Sequence, residues 1–112
     1  MAEQISPDKR VPLSAVIITR NAASQIEACL QSVGFADEIL IVDSGSTDAT
    51  LEIARRHGAR VMHQDWLGYG RQKEFAARQA KHDWVLSLDA DERVSEELRA
   101  SIQTALVAPR FH

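Results

Sequence analysis

Three carboxylates stand within four residues at Asp89-Ala90-Asp91-Glu92. Acids packed so closely repel one another unless solvent, hydrogen-bond donors or a cation compensate them. A divalent cation, Mg²⁺ or Mn²⁺, suits that role, because it takes oxygen ligands and often bridges one or two carboxylates to substrate phosphates. The D-x-D spacing puts two carboxylates on one side of an extended turn. The quartet follows Trp84-Val85-Leu86-Ser87-Leu88, which reads as a buried strand. In a parallel sheet the residues after such a strand enter the crevice where ligands bind. The pattern points to a nucleotide-phosphate site. Acidic residues between strand and helix also cap free amides and complement the helix dipole, so the motif alone leaves both readings open.

The elements that must position this quartet alternate along the chain. Leu13-Ser14-Ala15-Val16-Ile17-Ile18-Thr19 is a β-branched run, apolar on both faces. Ser24-Gln25-Ile26-Glu27 has the form of a capping box, and Ile26, Cys29, Leu30 and Val33 then fall on one helical stripe closed by Gly34. Glu38–Val42 reads as a second strand, with a helix expected from about Thr47 to His57 and closed by Gly58. Ala59–His63 reads as a short third strand, followed by the loop Gln64–Gly70 and a helix through Gln72, Phe75, Ala76 and Ala80. After the strand at Trp84–Leu88, a last helix is expected near Ser95, with Leu98, Ile102 and Leu106 on one face. Four strand–helix repeats with near-continuous apolar strands imply an α/β fold. The expected architecture is a Rossmann-like parallel sheet with helices on both faces.

Every strand of such a sheet ends at the same crevice. Its lining would be Thr19-Arg20-Asn21, Asp43-Ser44-Gly45-Ser46, His63-Gln64-Asp65 and the acidic quartet. Asp43 can accept from a base or ribose, Thr19 and Asn21 can donate or accept beside it, and Gly45 permits close backbone approach. Asp43 to Asp48 equally suits an Asx-turn leading into a helix. No dinucleotide fingerprint and no Walker A loop follow the first strand, which removes two common nucleotide classes. Trp66 and Tyr69 could stack on a base or guard the pocket, and anchoring of their loop against the core is the commoner habit of aromatics. His57, His63, His82 and His112 lack metal-ligand spacing.

Composition bounds the rest. The 112 residues are 45% hydrophobic and 26% charged, which is globular, and a net charge of −3 gives no footprint for nucleic acid. Residues 1–12 read as a polar leader, 13–108 as the domain and 109–112 as a tail. Cys29 is the single cysteine, so no intrachain disulfide forms, and it is expected to pack as a small apolar residue. No signal-peptide pattern and no span-length apolar run occurs, so the expected location is cytoplasmic, with peripheral association at the inner face of the cell membrane left open.

The ordered pieces Ser14–Asn21, Ile41–Asp48 and Asp89–Glu92 resemble the N-terminal half of a family 2 glycosyltransferase of the GT-A fold. The loop Trp66-Leu67-Gly68-Tyr69-Gly70-Arg71-Gln72-Lys73 further resembles the branch that builds lipopolysaccharide core. The resemblance implies inverting transfer of a sugar from a nucleotide diphosphate donor, most readily a UDP-sugar, to a glycan or lipid-linked acceptor. It implies that Thr19, Asn21 and Asp43 hold the nucleoside. Asp91 would be the direct ligand of Mg²⁺ or Mn²⁺, and Asp89 would lie nearer the ribose while sharing the metal.

Two residues depart from the family pattern: Ala22, where an acid is common, and Glu74, where Asn is expected. Arg71 and Lys73 could reach the diphosphate, though a solvated helix face is the commoner reading. The general base of such an enzyme lies in the family's second half, so no catalytic residue is assigned within this chain. The isolated chain is expected to bind donor without transferring it, as a truncated portion of a longer enzyme. A non-catalytic nucleotide-binding or interaction module is the alternative. A phospho-acceptor domain is disfavoured by the lack of a fifth strand with its lysine, and a nucleotidyltransferase by the lack of a glycine-rich basic loop. An exposed sheet edge could also support a homodimer.

Overall fold

A computed structural model describes residues 10–107. Its elements are β1 (Leu13–Thr19), α1 (Ile26–Ser32), β2 (Glu38–Asp43), α2 (Thr50–Arg56), β3 (Arg60–His63), α3 (Tyr69–Arg78), β4 (Trp84–Asp89) and α4 (Glu96–Val107). The strands form one sheet in the order β3-β2-β1-β4, and every pair is parallel. The chain steps outward from β1 to β3, then crosses back over to place β4 on the other side of β1. That reversal puts the topological switch point between β1 and β4, where open α/β sheets leave a crevice.

Position in the sheet explains burial. Every residue of central β1 is buried, whereas β4 is an outer strand on which Trp84 is 48% exposed and Leu88 alone is buried. The sequence expectation of a buried strand at Trp84–Leu88 is corrected here: an apolar run does not distinguish an inner strand from an outer one. One face of the sheet presents Ala15, Ile17, Ile41 and Leu88 to Ile26, Cys29, Leu30 and Val33 from the α1 segment and to Ala54 of α2. The other presents Val16, Ile18, Leu40 and Val42 to Ala76 and Phe75 of α3. Helices therefore cover both faces. Complete burial of Ile26 and Leu30 contributes roughly 1.5–3 kcal/mol each.

Several local expectations shift. The capping box does not form: Gln25 occupies the cap of α1 without a side-chain bond, and the Gln25 and Ile26 amides donate instead to the Ala22 carbonyl at 2.9 and 2.8 Å. A backbone turn on the Ala22 carbonyl opens the helix instead. α2 starts at Thr50, later than the expected Thr47, because the Asp48 carboxylate accepts the Thr50 amide at 3.0 Å in an Asx-turn. Ser95 does serve α4, accepting from the Leu98 amide at 3.1 Å through its hydroxyl. On α4 the expected apolar face is buried only toward its far end, at Leu106, with Leu98 45% exposed.

The base of the sheet is pinned by a buried acid. Glu38 accepts from Ser14 Oγ at 2.6 Å, from the Lys81 amide at 2.8 Å and from the Arg60 guanidinium at 2.7 Å. Arg10 and Val11, assigned to the leader in the sequence reading, are tied to the fold. Arg10 pairs twice with Asp37, at 2.6 and 2.7 Å, and the Val11 amide reaches the Leu106 carbonyl at 3.0 Å. Residues 1–9 of the leader, residue 108 and the tail lie outside the described residues.

Candidate functional site

Parallel register brings the ends of the strands level. Thr19 pairs with Asp43, Asp43 with His63, and Ile18 with Asp89, so the residues that follow converge at one edge. A pocket of about 450 Å³ opens at the switch point between β1 and β4. Thr19 and Asn21 line one side, Asp89 and Asp91 another, and Trp66 and Tyr69 form its rim. His63 ends far from it on outer strand β3, where Nε2 lies 2.7 Å from Asp65 in an exposed pair.

Asp43 is placed differently from these. It is 2% exposed and does not line the pocket. Its Oδ1 accepts from Thr19 Oγ1 at 2.7 Å and Ser46 Oγ at 2.5 Å, and its Oδ2 from the Gly45 and Ser46 amides at 2.9 and 2.7 Å. Four donors fill the acceptor capacity of a carboxylate. Burial pushes its pKa up, but the hydrogen bonds from Ser46, Thr19 and Gly45 outweigh this and hold it below the ordinary value. The loop it organises carries the next contacts: the Asn21 amide donates to Ser46 Oγ at 2.8 Å, and Asn21 Oδ1 accepts from the Thr47 amide at 2.7 Å. Asn21 adopts a positive φ of 51°. Asn tolerates this left-handed backbone better than most residues, and here it aligns the turn against the second loop. Asp48 and Thr50 complete the tie by accepting from the Ala23 and Ala22 amides.

The acidic quartet divides into three roles. Glu92 folds back, its Oε1 accepting from the Asp89 amide at 2.7 Å while its own amide donates to the Asp89 carbonyl at 3.0 Å. Helix α1 supports the turn from below: Cys29 Sγ lies 3.8 Å from the Asp89 carbonyl, and Ser32 Oγ accepts from the Val94 amide at 3.0 Å. Cys29 itself is fully buried, as expected, and burial first, then the Glu92 charge, pushes its thiol up to about 11. Asp89 Oδ1 is buried and receives no hydrogen bond. The Lys73 ammonium is 3.1 Å from that oxygen, a charge contact without hydrogen-bond alignment. Asp91 is exposed on the pocket wall, with no partner for its carboxylate among the described residues.

Lys73 therefore faces the acidic site, contrary to the solvated-face expectation, whereas Arg71 is exposed and outside the pocket. Trp66 and Tyr69 also depart from expectation. They are 51% and 66% exposed and do not anchor their loop. That anchor is Gln72, fully buried on α3, whose Oε1 accepts from the Leu67 amide at 3.0 Å and whose Nε2 donates to the Gln64 carbonyl at 3.1 Å. The only hint of it in the sequence is that Gln72 and Ala76 share a helical face.

Among the described residues no cluster of three or more His, Cys, Asp or Glu forms a metal cage. A cation held by one or two carboxylates and completed by phosphate oxygens needs no such cage. Asp89, whose Oδ1 has only the Lys73 ammonium near it, and the free carboxylate of Asp91 line the same pocket and fit that pattern.

Sheet order, the crevice beside β1 and the strand-end acids define an α/β protein of the Rossmann-like class. The sequence matches Glycosyl transferase family 2 over residues 14–110, and the chain belongs to that family. It is 50% identical over 92 residues to an uncharacterized glycosyltransferase of Rickettsia bellii, covering 81% of this chain and 31% of that protein. To the lipopolysaccharide core biosynthesis glycosyltransferase LpsC of Rhizobium meliloti it is 38% identical over 104 residues, covering 88% and 38%. Among solved structures it is similar to the mannosyltransferase PcManGT of Pyrobaculum calidifontis in complex with GDP-Man and Mn²⁺. The TM-score is 0.68 at 25% identity, over 94% of this chain and 34% of that one. The fold is that of the GT-A glycosyltransferases. The chain spans about a third of the length of these relatives.

Proposed function

We propose that this chain is the donor-binding portion of a glycosyltransferase that moves a sugar from a nucleoside diphosphate sugar to a glycan or lipid-linked acceptor. The observation that carries the reading is a pair of strand-end carboxylates, Asp89 and Asp91, lining one pocket at the switch point, with Asp91 unpartnered among the described residues and Asp89 Oδ1 met only by the Lys73 ammonium. In this reading Thr19 and Asn21 meet the nucleoside directly. Asp43 acts through them, by fixing Thr19 and the Ser44–Thr47 turn. Asp89 lies toward the ribose and shares Mg²⁺ or Mn²⁺ with Asp91. Bound there, the cation would act as a Lewis acid on the diphosphate leaving group.

Likeness to the core-building LpsC favours an acceptor in lipopolysaccharide core or a related envelope glycan, with a UDP-sugar as donor and inversion at the transferred carbon. Such a protein would work in the cytoplasm or at the inner face of the membrane. Among the described residues no helix is long and apolar enough to cross a membrane. An inverting transfer also needs a base for the acceptor hydroxyl. The pocket offers only Asp89 and Asp91, both engaged by the donor in this reading, so the isolated chain binds donor without transferring it.

Calorimetric titration with UDP and UDP-glucose, with and without Mn²⁺, tests the assignment beside Asp91→Asn. Metal-dependent binding that the variant weakens about tenfold or more is the expected result. Absence of binding to a folded chain would reduce the acidic quartet to a helix entry.

A further inference from the structure

Two large aromatic rings stand wet on the rim of the pocket. Trp66 and Tyr69 meet edge to face, with centroids 5.0 Å apart and planes at 87°. Exposure of such rings forfeits the free energy that burial would supply, and nothing in their loop prevents order. Fully buried Gln72 clamps the loop from beneath at Leu67 and Gln64, and Gly68, with φ of 95°, turns it into α3. The pair is held open by a built support.

Its place along the pocket is set by α3. Tyr69 opens that helix, and Lys73, one turn later on the same face, reaches Asp89 Oδ1 at 3.1 Å. One turn advances about 5.4 Å. The aromatic rim and the acids therefore belong to one pocket, joined through α3, so a ligand whose phosphates meet Asp89 and Asp91 has the two rings within the same cavity. In an edge-to-face pair the ring presenting its edge has neither face covered by its partner, and a π face is electron-rich. The C–H face of a pyranose complements it.

We propose that Trp66 and Tyr69 form a stacking wall for a pyranose ring beside the diphosphate, an inference that rests on the donor-site reading. The ring comes from the nucleotide sugar or from the acceptor glycan, and the two sources are separable. The chain has two tryptophans, and Trp84 lies at the opposite end of the sheet, so Trp84→Phe leaves Trp66 as the sole reporter. Its emission is followed, with calorimetry in parallel and Mn²⁺ present, during titration with UDP, UDP-glucose, UDP-N-acetylglucosamine, GDP and GDP-mannose. Maltotriose is then added to UDP-saturated protein.

A Trp66 response to a nucleotide sugar beyond that to its parent nucleotide assigns the donor's ring. A response to maltotriose alone assigns the acceptor's. In either case Trp66→Ala and Tyr69→Ala weaken the sugar-bearing ligand about tenfold and leave UDP within about twofold, with the circular dichroism spectrum unchanged. Equal responses and equal losses for UDP and UDP-sugars would mean a base-stacking wall and overturn the proposal. Calorimetric binding with a silent Trp66 would overturn it while leaving the donor site standing. No heat from any nucleotide would remove both.

Discussion

Replacing Asp43 separates a scaffold from a direct ligand contact. Its carboxylate accepts four hydrogen bonds, two from hydroxyls and two from backbone amides, at 2.5–2.9 Å. Asp43→Asn keeps the shape. The amide oxygen can face the Gly45 and Ser46 amides, while its NH₂ donates to Thr19 and Ser46 hydroxyls that rotate to accept. Four bonds survive without the charge, a loss of about 1 kcal/mol. Asp43→Ala strands all four donors. Bonds to a charged group are worth ~1.5–3 kcal/mol each, but release of the carboxylate's desolvation and water at half-buried Gly45 and Ser46 return much of the sum. A net loss of about 3 kcal/mol is expected, a sizeable share of the ~5–15 kcal/mol typical of a domain.

Urea unfolding followed by circular dichroism reads both values. The pH dependence has a fixed sign. Since the folded pKa of Asp43 is depressed, its contribution is complete above the unfolded value near ~3.9 and fades as pH falls through the folded pKa. The gap between wild type and Asp43→Asn must therefore close in acid. Asp43→Ala within about 0.5 kcal/mol of wild type would refute the scaffold role. A nucleotide affinity destroyed by Asp43→Asn with stability intact would make Asp43 a direct contact.

Gln72→Leu keeps the volume and removes both clamps on the Trp66 loop. It should cost about 2 kcal/mol and speed hydrogen exchange at the Leu67 amide, and unchanged exchange there would show that the clamp is idle. Cys29, with its thiol at about 11, holds only ~0.1% thiolate at pH 8. A disulfide reagent should leave it untouched in the native protein and modify it fully in urea.

The sequence carried the alternation of elements and the convergence of strand ends, because hydrophobic period and turn residues are local signals. Strand order is not local, and that is why Trp84–Leu88 read as a buried strand although it lies at the edge of the sheet. Ser24 and Glu27 satisfied the spacing of a capping box, yet the chain turns on the Ala22 carbonyl and α1 takes Gln25 as its cap, one residue past Ser24. Asp43 and Asp89 look alike in sequence, each a strand-terminal acid before short polar residues. Only the fold shows that one is saturated by its own loop and the other is not. Gln72 left almost no trace, since a glutamine on a helix ordinarily faces water.

That contrast between saturated and unsaturated acids gives the site its direction. Asp43 and Asp48 spend their acceptors on the β1 and β2 loops and make one rigid wall of two segments. Glu92 spends one oxygen on the strand that precedes it. Asp89, paired through its buried Oδ1 with Lys73 alone, and exposed Asp91 remain, and both line the crevice that sheet topology creates. A fold that needed these acids only to start α4 would have placed them at its cap, where Ser95 already serves. Helix capping therefore accounts for Ser95 but not for Asp91, and Asp89 has only the Lys73 ammonium beside its buried oxygen. In the proposed donor-site reading, a cation with a phosphorylated ligand would engage both acids at once.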